Sequence, residues 1–456
     1  MVGKDRNFGV RSKNASARVF KLSIIDQYVP KQWITRAFFF PAEDHEQVYG
    51  HLREGLSRTL TRLPILAGRV RREYGQYASI EVEEDSEVYF GVQDSELPSY
   101  ARLREEDFPM RQLAELAAPA VLTLPVTEGS GVFAAQLSFV EGGIVLVFGI
   151  AHLVGDATAW ATITRLWAQY TVESFRGEES ILAEIHTDRS QLSQGTVERQ
   201  QDSRLWAVCE VEKSPMNLPK PIAPRKLEKK APLSSWRIWY LSEEKLRQLK
   251  QDSSPSTGWI STNDALFALF WHRSTIYRKL GRFETSSCRI PIDVRSRMQP
   301  PIVEFVGNAV SMFAAEASIA ELERDDGLAS VSALAQKIRQ TILSWEVSSF
   351  TSWIAKANDL PVDKALHHPS GSVVDPNILL NDHSKLDTCK LEWGFGRVEC
   401  IRGIDQDYPF PGLALIILFP VLVDGGIEVA TVFDNHVNEG LEGDELFMRY
   451  AELRLS

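Results

Sequence analysis

The clearest pattern of hydrophobic and polar positions lies between residues 144 and 170. Residues 144–151 (IVLVFGIA) are apolar throughout and rich in β-branched side chains, which is typical of a buried strand. Beyond residue 156 the apolar positions recur at three- and four-residue intervals, which predicts a helix; they are Ala157, Trp160, Ile163, Leu166, Trp167 and Tyr170. The sequence therefore predicts a core strand and a helix joined by a short turn.

Two polar side chains belong to that turn. His152 follows the strand directly, and Asp156 stands four residues later, where a short acceptor side chain can cap the helix. An imidazole fixed at the end of a core strand, yet reachable from outside, is a candidate for acid–base chemistry. The alternative is a hydrogen-bonded core histidine followed by an ordinary helix cap, and the spacing alone does not exclude it.

Similar patterns predict the other elements of the first half. Short strands are expected at 20–29 and 34–41, and a further strand at 132–140 leads through Gly142-Gly143 into the central one. Residues 43–63 carry one apolar stripe along a helix of about five turns.

The second half has the same mixture of strand and helix patterns. Ser261 and Asp264 fit a capping box, which predicts a helix start. Apolar runs on either side of Asp424-Gly425-Gly426 predict a buried hairpin. Strands are also expected at 236–242 and 288–298 and a closing helix at 444–453, whereas 359–386 is rich in turn residues.

The length and the composition divide the chain into two domains. A chain of 456 residues exceeds one ordinary core. Residues 191–233 are polar, with five prolines between Pro215 and Pro232, and are expected to be a crossover linker. The predicted domains are 1–190 and 234–456. The basic cluster at 226–230 within the linker is expected to be a solvated face, with an anion-docking surface as the alternative.

Charge and motif searches exclude several classes of protein. The formal net charge of −11 leaves no surplus of cations for nucleic acid. The sequence contains neither the Gly-x-Ser-x-Gly of serine hydrolases nor a P-loop, and no Cys/His set has the spacing of a zinc site, so no metal is expected. With four scattered cysteines, no secretory signal and no membrane-length apolar run, we expect a cytoplasmic monomer that binds no membrane.

Several short segments together resemble one enzyme family. His152-Leu153-Val154-Gly155-Asp156 resembles the HxxxD motif of the BAHD acyltransferases, and Glu392-Trp393-Gly394-Phe395-Gly396 stands where that family carries DFGWG. Segments similar to those of the family lie between and around these two in the family's order: LSIIDQ near the N-terminus, LPILAGRVR at 63–71, Ser261 to Leu266, Ile292 to Arg297, Gly307 to Val310, and GGIEVATVF near the C-terminus. The resemblance spans nearly the whole chain and is greatest to the fungal branch that acylates secondary metabolites.

The sequence departs from the family pattern at three places. Glu392 replaces the aspartate of DFGWG, the two aromatic residues are exchanged around Gly394, and Ala157 follows Asp156 where many members have glycine. The DFGWG motif is structural in the family and distant from the reacting centre, so the resemblance implies that its role survives. The resemblance does not predict which residue the longer Glu392 carboxylate contacts.

The resemblance implies a fold and a reaction. The fold would be α/β, with two similar chloramphenicol acetyltransferase-like domains, each a mixed sheet flanked by helices, and an active-site channel at their interface. The reaction would move an acyl group from acyl-CoA to a hydroxyl of a small-molecule secondary metabolite, and an acetyl group is the first candidate. Acyl-CoA would be a co-substrate, and no cofactor would be bound permanently.

It also implies roles for individual residues. His152 would be the general base, a role that suits the pKa of imidazole. Asp156 would point away from the reacting centre and pair with Arg295, and Asn308 is a candidate contact for the oxyanion or the acyl group. Ser261 and Thr262 would lie along the pantetheine and phosphate arm of CoA, with Arg297 or Lys279 near its 3′-phosphate.

Other functions stay open at this point. A condensation-type domain of the same superfamily would favour a second histidine where Ala151 stands, an N-acyltransferase would accept an amine, and an inactive homologue would keep the fold for binding alone.

Overall fold

The computed structural model describes residues 6–13, 16–110, 113–179, 184–195, 207–210, 234–367, 374–404 and 411–456. The strands are β1 (Arg6–Arg11), β2 (Arg18–Lys21), β3 (Trp33–Pro41), β4 (Arg69–Arg71), β5 (Ser79–Val82), β6 (Glu87–Asp94), β7 (Phe133–Val140), β8 (Gly143–Ala151), β9 (Ala207–Glu210), β10 (Ser234–Leu241), β11 (Thr285–Asp293), β12 (Val310–Ser318), β13 (Lys364–His367), β14 (Ile378–Asp382), β15 (Cys400–Arg402), β16 (Leu415–Leu418), β17 (Ile427–Asp434) and β18 (Glu452–Leu455).

The α-helices flank these strands in both halves of the chain. They are α1 (Ile24–Tyr28), α2 (His45–Arg62), α3 (Tyr100–Glu105), α4 (Leu113–Leu116), α5 (Ala157–Arg176), α6 (Ser190–Ser193), α7 (Glu243–Asp252), α8 (Thr262–Arg278), α9 (Ile319–Glu323), α10 (Leu328–Leu343), α11 (Val347–Asn358), α12 (Asn435–Glu442) and α13 (Glu445–Met448).

Two large mixed sheets organise these elements into two lobes. The first has six strands in the order β1-β6-β7-β8-β3-β15, with β6 and β7 parallel and the other pairs antiparallel. The second has seven strands in the order β12-β11-β14-β16-β17-β10-β18, with β14 parallel to both of its neighbours. The predicted fold class, two mixed sheets flanked by helices, is confirmed.

The central strand and helix of the first lobe form where the pattern predicts them. All nine residues of β8 are buried, because the sheet continues on both sides and helices cover it. Helix α5 packs its buried aromatic residues, Trp160 and Trp167, against α2 and the sheet. This packing fixes the turn between β8 and α5.

Three predictions of local structure are wrong. The expected strand at 20–29 is split into β2 and the helix α1, because Ser23 and Asp26 form a capping box that starts a helix. The expected helix at 444–453 is shortened to α13 and followed by the edge strand β18. The turn-rich stretch 359–386 contains β14, which lies inside the second sheet.

The predicted linker, 191–233, is described only at 191–195 and 207–210. Within it, β9 pairs with β13 in a two-stranded ribbon. The proline-rich part and the basic cluster at 226–230 lie outside the described residues.

One segment of the predicted 234–456 domain crosses back to the first lobe. Strand β15 pairs with β3 at the edge of the first sheet, and the buried indole of Trp393 belongs to the first hydrophobic core. At the end of β15 the guanidinium of Arg402 forms two bonds to the carboxylate of Glu428 on β17, so a buried ion pair joins the two sheets.

We expect Glu428→Gln to destabilise the protein strongly. The amide keeps the shape of the side chain but leaves the buried Arg402 charge uncompensated, which costs about 3–5 kcal/mol of unfolding free energy. Urea-induced unfolding measures this loss. The matched control is Glu392→Gln in the exposed Glu392–Arg397 pair, where less than about 1 kcal/mol is expected. Equal losses in the two variants would contradict the structural role of the buried pair.

Candidate active site

His152 begins a short 3₁₀ turn, His152–Val154, between β8 and α5. Its backbone N–H donates to the carbonyl of Gln32 at 2.8 Å, which ties the turn to the chain entering β3. The imidazole therefore lies at the end of a buried central strand.

The His152 side chain lines a cavity of about 280 Å³ between the two sheets, which we call the inner cavity. Its walls are mostly apolar and come from both lobes; they include Trp33, Ile34, Trp236, Pro291, Met312, Leu379, Leu415, Ile417 and Phe419. Nδ1 of His152 is buried without a partner on another described residue, so Nε2 is the ring nitrogen that can face the cavity.

The environment of His152 favours its neutral form. Burial removes the imidazole from water and lowers its pKa below the usual value of 6.5, against the opposing effects of its own backbone carbonyl, Asp156 and Asn308. A neutral imidazole with a free Nε2 can accept a proton from a bound molecule.

Asp156 is a helix cap and an ion-pair partner at once. Its carboxylate accepts from the backbone N–H of Ala159 at 2.9 Å, at the start of α5, and from that of Ala309 at 2.8 Å in the other lobe. Arg295 donates to both carboxylate oxygens, at 2.9 and 3.0 Å. Both side chains of this bidentate pair are buried, and the carboxylate oxygens are occupied by Arg295 and the two backbone N–H groups.

The Asp156–Arg295 pair joins the two lobes. Arg295 comes from the second lobe, where its guanidinium also donates to the carbonyl of Gly307 at 2.8 Å and to the carboxylate of Asp293 at 3.1 Å. The turn after β8 and the loop before β12 are thereby held in one position relative to each other.

Asn308 does not serve as the predicted oxyanion donor in this structure. Its Nδ2 donates to the carboxylate of Asp26 and to the carbonyl of His152, both at 2.8 Å, which uses both amide hydrogens. Turning the amide over would place its oxygen against two acceptors, so this orientation is fixed. The amide therefore positions the backbone of His152.

Sequence reasoning missed a second buried ion pair beside the same turn. The carboxylate of Asp26, in α1, accepts from Nε of Arg189 at 2.8 Å, and Nη2 of Arg189 donates to the carbonyl of Val154 at 3.1 Å. The Ser23–Asp26 capping box could have indicated Asp26. No local pattern indicates Arg189, because only the tertiary fold brings it to the turn.

The three predicted CoA residues lie in a second, larger depression, which we call the outer cleft. Ser261 caps α8 through the predicted capping box, which is confirmed, and Thr262 and Arg297 line the same cleft. Pro291 borders both the inner cavity and the outer cleft.

Lys279, the alternative to Arg297 near the 3′-phosphate, does not line this cleft. It ends α8 at the opposite terminus from Ser261, ~25 Å away along a helix of 17 residues. Three other cations line the cleft and form no ion pair within the described part of the chain, namely Arg247, Lys250 and Lys385. These three residues are far apart in the sequence, so no local pattern indicates that they share a cleft.

A second imidazole, that of His383, also lines the inner cavity and was not predicted. It follows β14, in the stretch where the strand itself was missed. Its Nδ1 lies 3.3 Å from Nη2 of Arg36 on β3.

The segment 392–396 is a tight turn outside both depressions. The Trp393 N–H donates to the carbonyl of Gly396 at 3.0 Å, and Gly394 has a φ of +88°, which favours glycine. The Glu392 carboxylate pairs with Arg397 across this turn, while the Phe395 ring packs against the first core. Neither the inner cavity nor the outer cleft includes these residues.

The described residues contain no cluster of three or more histidine, cysteine, aspartate or glutamate side chains that could hold a metal ion. They also contain no helix with the length and hydropathy that a membrane crossing needs.

Comparisons with known proteins agree along almost the whole chain. The model of the Transferase family matches residues 5–440. The acyltransferase clz6 of Cochliobolus lunatus is 28% identical, with 98% of each chain covered. The trichothecene 3-O-acetyltransferase TRI101 of Fusarium sporotrichioides is 25% identical, over 95% of this chain and 96% of the relative.

Solved structures have the same fold. The F. sporotrichioides TRI101 complex with coenzyme A and T-2 superimposes with a TM-score of 0.76 at 21% identity, covering 96% of this chain and 100% of the other. Vinorine synthase superimposes with a TM-score of 0.66 at 16% identity, with 96% of each chain covered.

We expect Asp156→Asn to lower both stability and activity. Asparagine still caps α5, but the buried Arg295 loses its charge partner, which costs about 3–5 kcal/mol of unfolding free energy. Thermal unfolding and a turnover assay measure the two effects. Asp44→Asn is the control, because Asp44 caps α2 through a bond to the N–H of Gln47 and forms no ion pair within the described residues. A purely kinetic defect with an unchanged melting temperature would contradict this role of Asp156.

Proposed function

The chain belongs to the Transferase family, and we propose that it transfers an acetyl group from acetyl-CoA to a hydroxyl of a small secondary metabolite. The membership confirms the family expected from the sequence. The observation that carries the proposal is the position of His152: a buried imidazole in a cavity between the two lobes, next to a cleft whose lining includes several cations that form no ion pair within the described residues.

The relatives support this reaction. Those cited above are named an acyltransferase and a 3-O-acetyltransferase, and the TRI101 structure was solved with coenzyme A. An inactive homologue would not need His152 and Asp156 together at the cavity wall. Both residues line the inner cavity, which supports an active enzyme.

In the proposed mechanism the acceptor alcohol binds in the inner cavity with its hydroxyl at Nε2 of His152. The imidazole removes the proton as the oxygen attacks the thioester carbonyl, so that the C–O bond forms directly. Collapse of the tetrahedral intermediate breaks the C–S bond, and the proton passes from His152 to the departing thiolate. The products are the acetyl ester and free CoA.

Asp156 and Arg295 act on this step from a distance. Their bidentate pair fixes the turn that carries His152, and the side-chain amide of Asn308 donates to the carbonyl of His152. All three are positioning residues, because their polar groups bind other protein atoms: the Asp156–Arg295 pair, the carbonyl of Gly307 and the carbonyl of His152.

CoA is proposed to bind in the outer cleft. Ser261 and Thr262 present a helix start to the pantetheine and phosphate arm, and Arg297 supplies a cation for a phosphate. Arg247, Lys250 and Lys385, which form no ion pair within the described residues, add positive charge on the same surface.

We also propose a cytoplasmic monomer with two domains, 1–190 and 234–456, connected by 191–233, in which the segment 387–402 of the second domain packs in the first lobe. Both depressions are formed by one chain, so the reaction needs no second copy. Cys288, Cys389 and Cys400 are free and buried, which agrees with a reducing compartment.

We expect His152→Ala to reduce acetyl transfer by about 10²–10⁴-fold while the fold is kept. The assay follows thiol release from acetyl-CoA with a panel of hydroxylated metabolites and confirms the ester by mass. In the wild type, kcat/KM should fall only when the pH drops below the usual imidazole pKa of 6.5, because burial lowers the pKa of His152. Full turnover by the variant would remove His152 from the mechanism; the exposed His436→Ala is the control.

We expect Arg297→Ala to weaken acetyl-CoA binding by about ten-fold, the value of one charge-assisted hydrogen bond, and to make it less dependent on salt. Lys279→Ala should leave the affinity unchanged, because Lys279 lies at the far end of α8. Titration calorimetry with CoA at two salt concentrations measures both variants. Equal affinities for Arg297→Ala and the wild type would place the phosphates elsewhere.

A further inference from the structure

The mechanism above leaves the second imidazole of the inner cavity without a role. His383 stands just after β14, and its backbone N–H donates to the carbonyl of Leu418 at 3.0 Å, which fixes its position at the cavity wall. It belongs to the second lobe, whereas His152 belongs to the first.

The contact with Arg36 determines which nitrogen of His383 carries the proton. Nη2 of Arg36 lies 3.3 Å from Nδ1 of His383, and a guanidinium can only donate. Nδ1 must therefore present its lone pair, and in the neutral ring the proton is on Nε2. No other described residue accepts from this Nε2–H, which remains available to the cavity.

The same environment keeps this ring uncharged. Burial, followed by the positive charge of Arg36, lowers the pKa of His383 to about 3. His383 therefore stays neutral throughout the working range of pH, and it neither takes up a proton nor delivers one as a cation.

The inner cavity thus has two imidazoles of opposite hydrogen-bonding character. Nε2 of His152 accepts, whereas Nε2–H of His383 donates, and the surrounding walls are mostly apolar. In sites of this kind a few polar groups fix the orientation of the ligand.

We propose that His383 is a specificity-determining residue, which donates a hydrogen bond from Nε2 to a second oxygen of the acceptor and so turns the reacting hydroxyl toward His152. This inference rests on the proposed acetyl transfer and names the class of acceptor. The acceptor is a neutral alcohol that carries a carbonyl, ether or hydroxyl oxygen in addition to the hydroxyl that is acetylated.

The hydrogen-bond donors at this part of the cavity wall do not suit a cationic group. Arg36 lines the cavity beside His383, and its guanidinium lies 5.7 Å from the ring centre of Phe419 on the same wall. An ammonium group at this position would meet the donors of Arg36 and His383 and could not accept the proposed second hydrogen bond.

The protonation of His383 can be measured without turnover. In ¹⁵N-histidine-labelled protein, long-range ¹H–¹⁵N correlation assigned with His383→Gln should show an Nε2–H tautomer that stays neutral from pH 5 to pH 8. Arg36→Met removes the donor that fixes this tautomer and should allow Nδ1–H to appear. An Nδ1–H tautomer or a charged ring in the wild type would overturn the proposal.

Activity tests the role of that proton with matched pairs of alcohols, such as cyclohexanol and 4-hydroxycyclohexanone, drawn from the acceptor panel. The wild type should favour the member with the second oxygen by about ten-fold in kcat/KM, the value of one hydrogen bond. His383→Phe should abolish that preference through the KM of the acceptor, and His383→Gln, which keeps a donor, should restore part of it.

Two results would be contrary. A wild type without preference in any accepted pair would overturn the role of His383 but leave the proposed function intact. If His383→Phe lowers kcat equally for both alcohols of a pair, the His383 proton assists the chemical step and does not select the acceptor. If no alcohol is acetylated, the proposed function fails. The NMR measurement of the His383 tautomer then still shows whether a hydrogen-bond donor faces the cavity. The melting temperatures of both variants show whether the fold is retained.

Discussion

The geometry of the candidate site depends on one buried ion pair between the lobes, that of Asp156 and Arg295. Isolated buried charges are costly, and this pair repays its desolvation only because nearly every polar atom is bonded: two bonds between the partners, two backbone N–H groups on the carboxylate and one carbonyl on the guanidinium. The arrangement is complete only with both lobes in place. The packing of the two lobes against each other therefore fixes the position of the turn that carries His152.

A second pair, Asp26 with Arg189, secures the other side of the same turn. Arg189 donates to the carbonyl of Val154. Asp26 accepts from the side-chain amide of Asn308, which also donates to the carbonyl of His152. Two ion pairs thus fix the backbone, and the imidazole itself is left unconstrained on its Nε2 side. Rigid backbone support with a free reactive atom is the arrangement that general-base catalysis requires.

The sequence predicted those features that depend on local patterns. The strand β8, the helix α5 and the Ser261 cap follow from periodicity and from capping chemistry, and the order of short motifs identified the family. Strand β14 was missed because its five residues lie among turn residues and are recognised only by their neighbours in the sheet. Arg189 and His383 could not be predicted, since their surroundings come from remote parts of the chain. Asn308 was predicted to contact the oxyanion or the acyl group, but its amide binds the carbonyl of His152 and a carboxylate 282 residues away, which no local pattern indicates.

The return of 387–402 to the first lobe has a consequence for how the protein can be divided. A fragment that ended before residue 234 would lack both β15, which covers the edge of β3, and the indole of Trp393, whose ring centre lies 5.7–6.0 Å from those of Phe38, Phe40 and Trp167. Such a fragment would expose an open sheet edge and a cluster of aromatic rings, the features that lead to aggregation. This segment thus interlocks the two lobes, and the first half of the chain is not a self-sufficient folding unit.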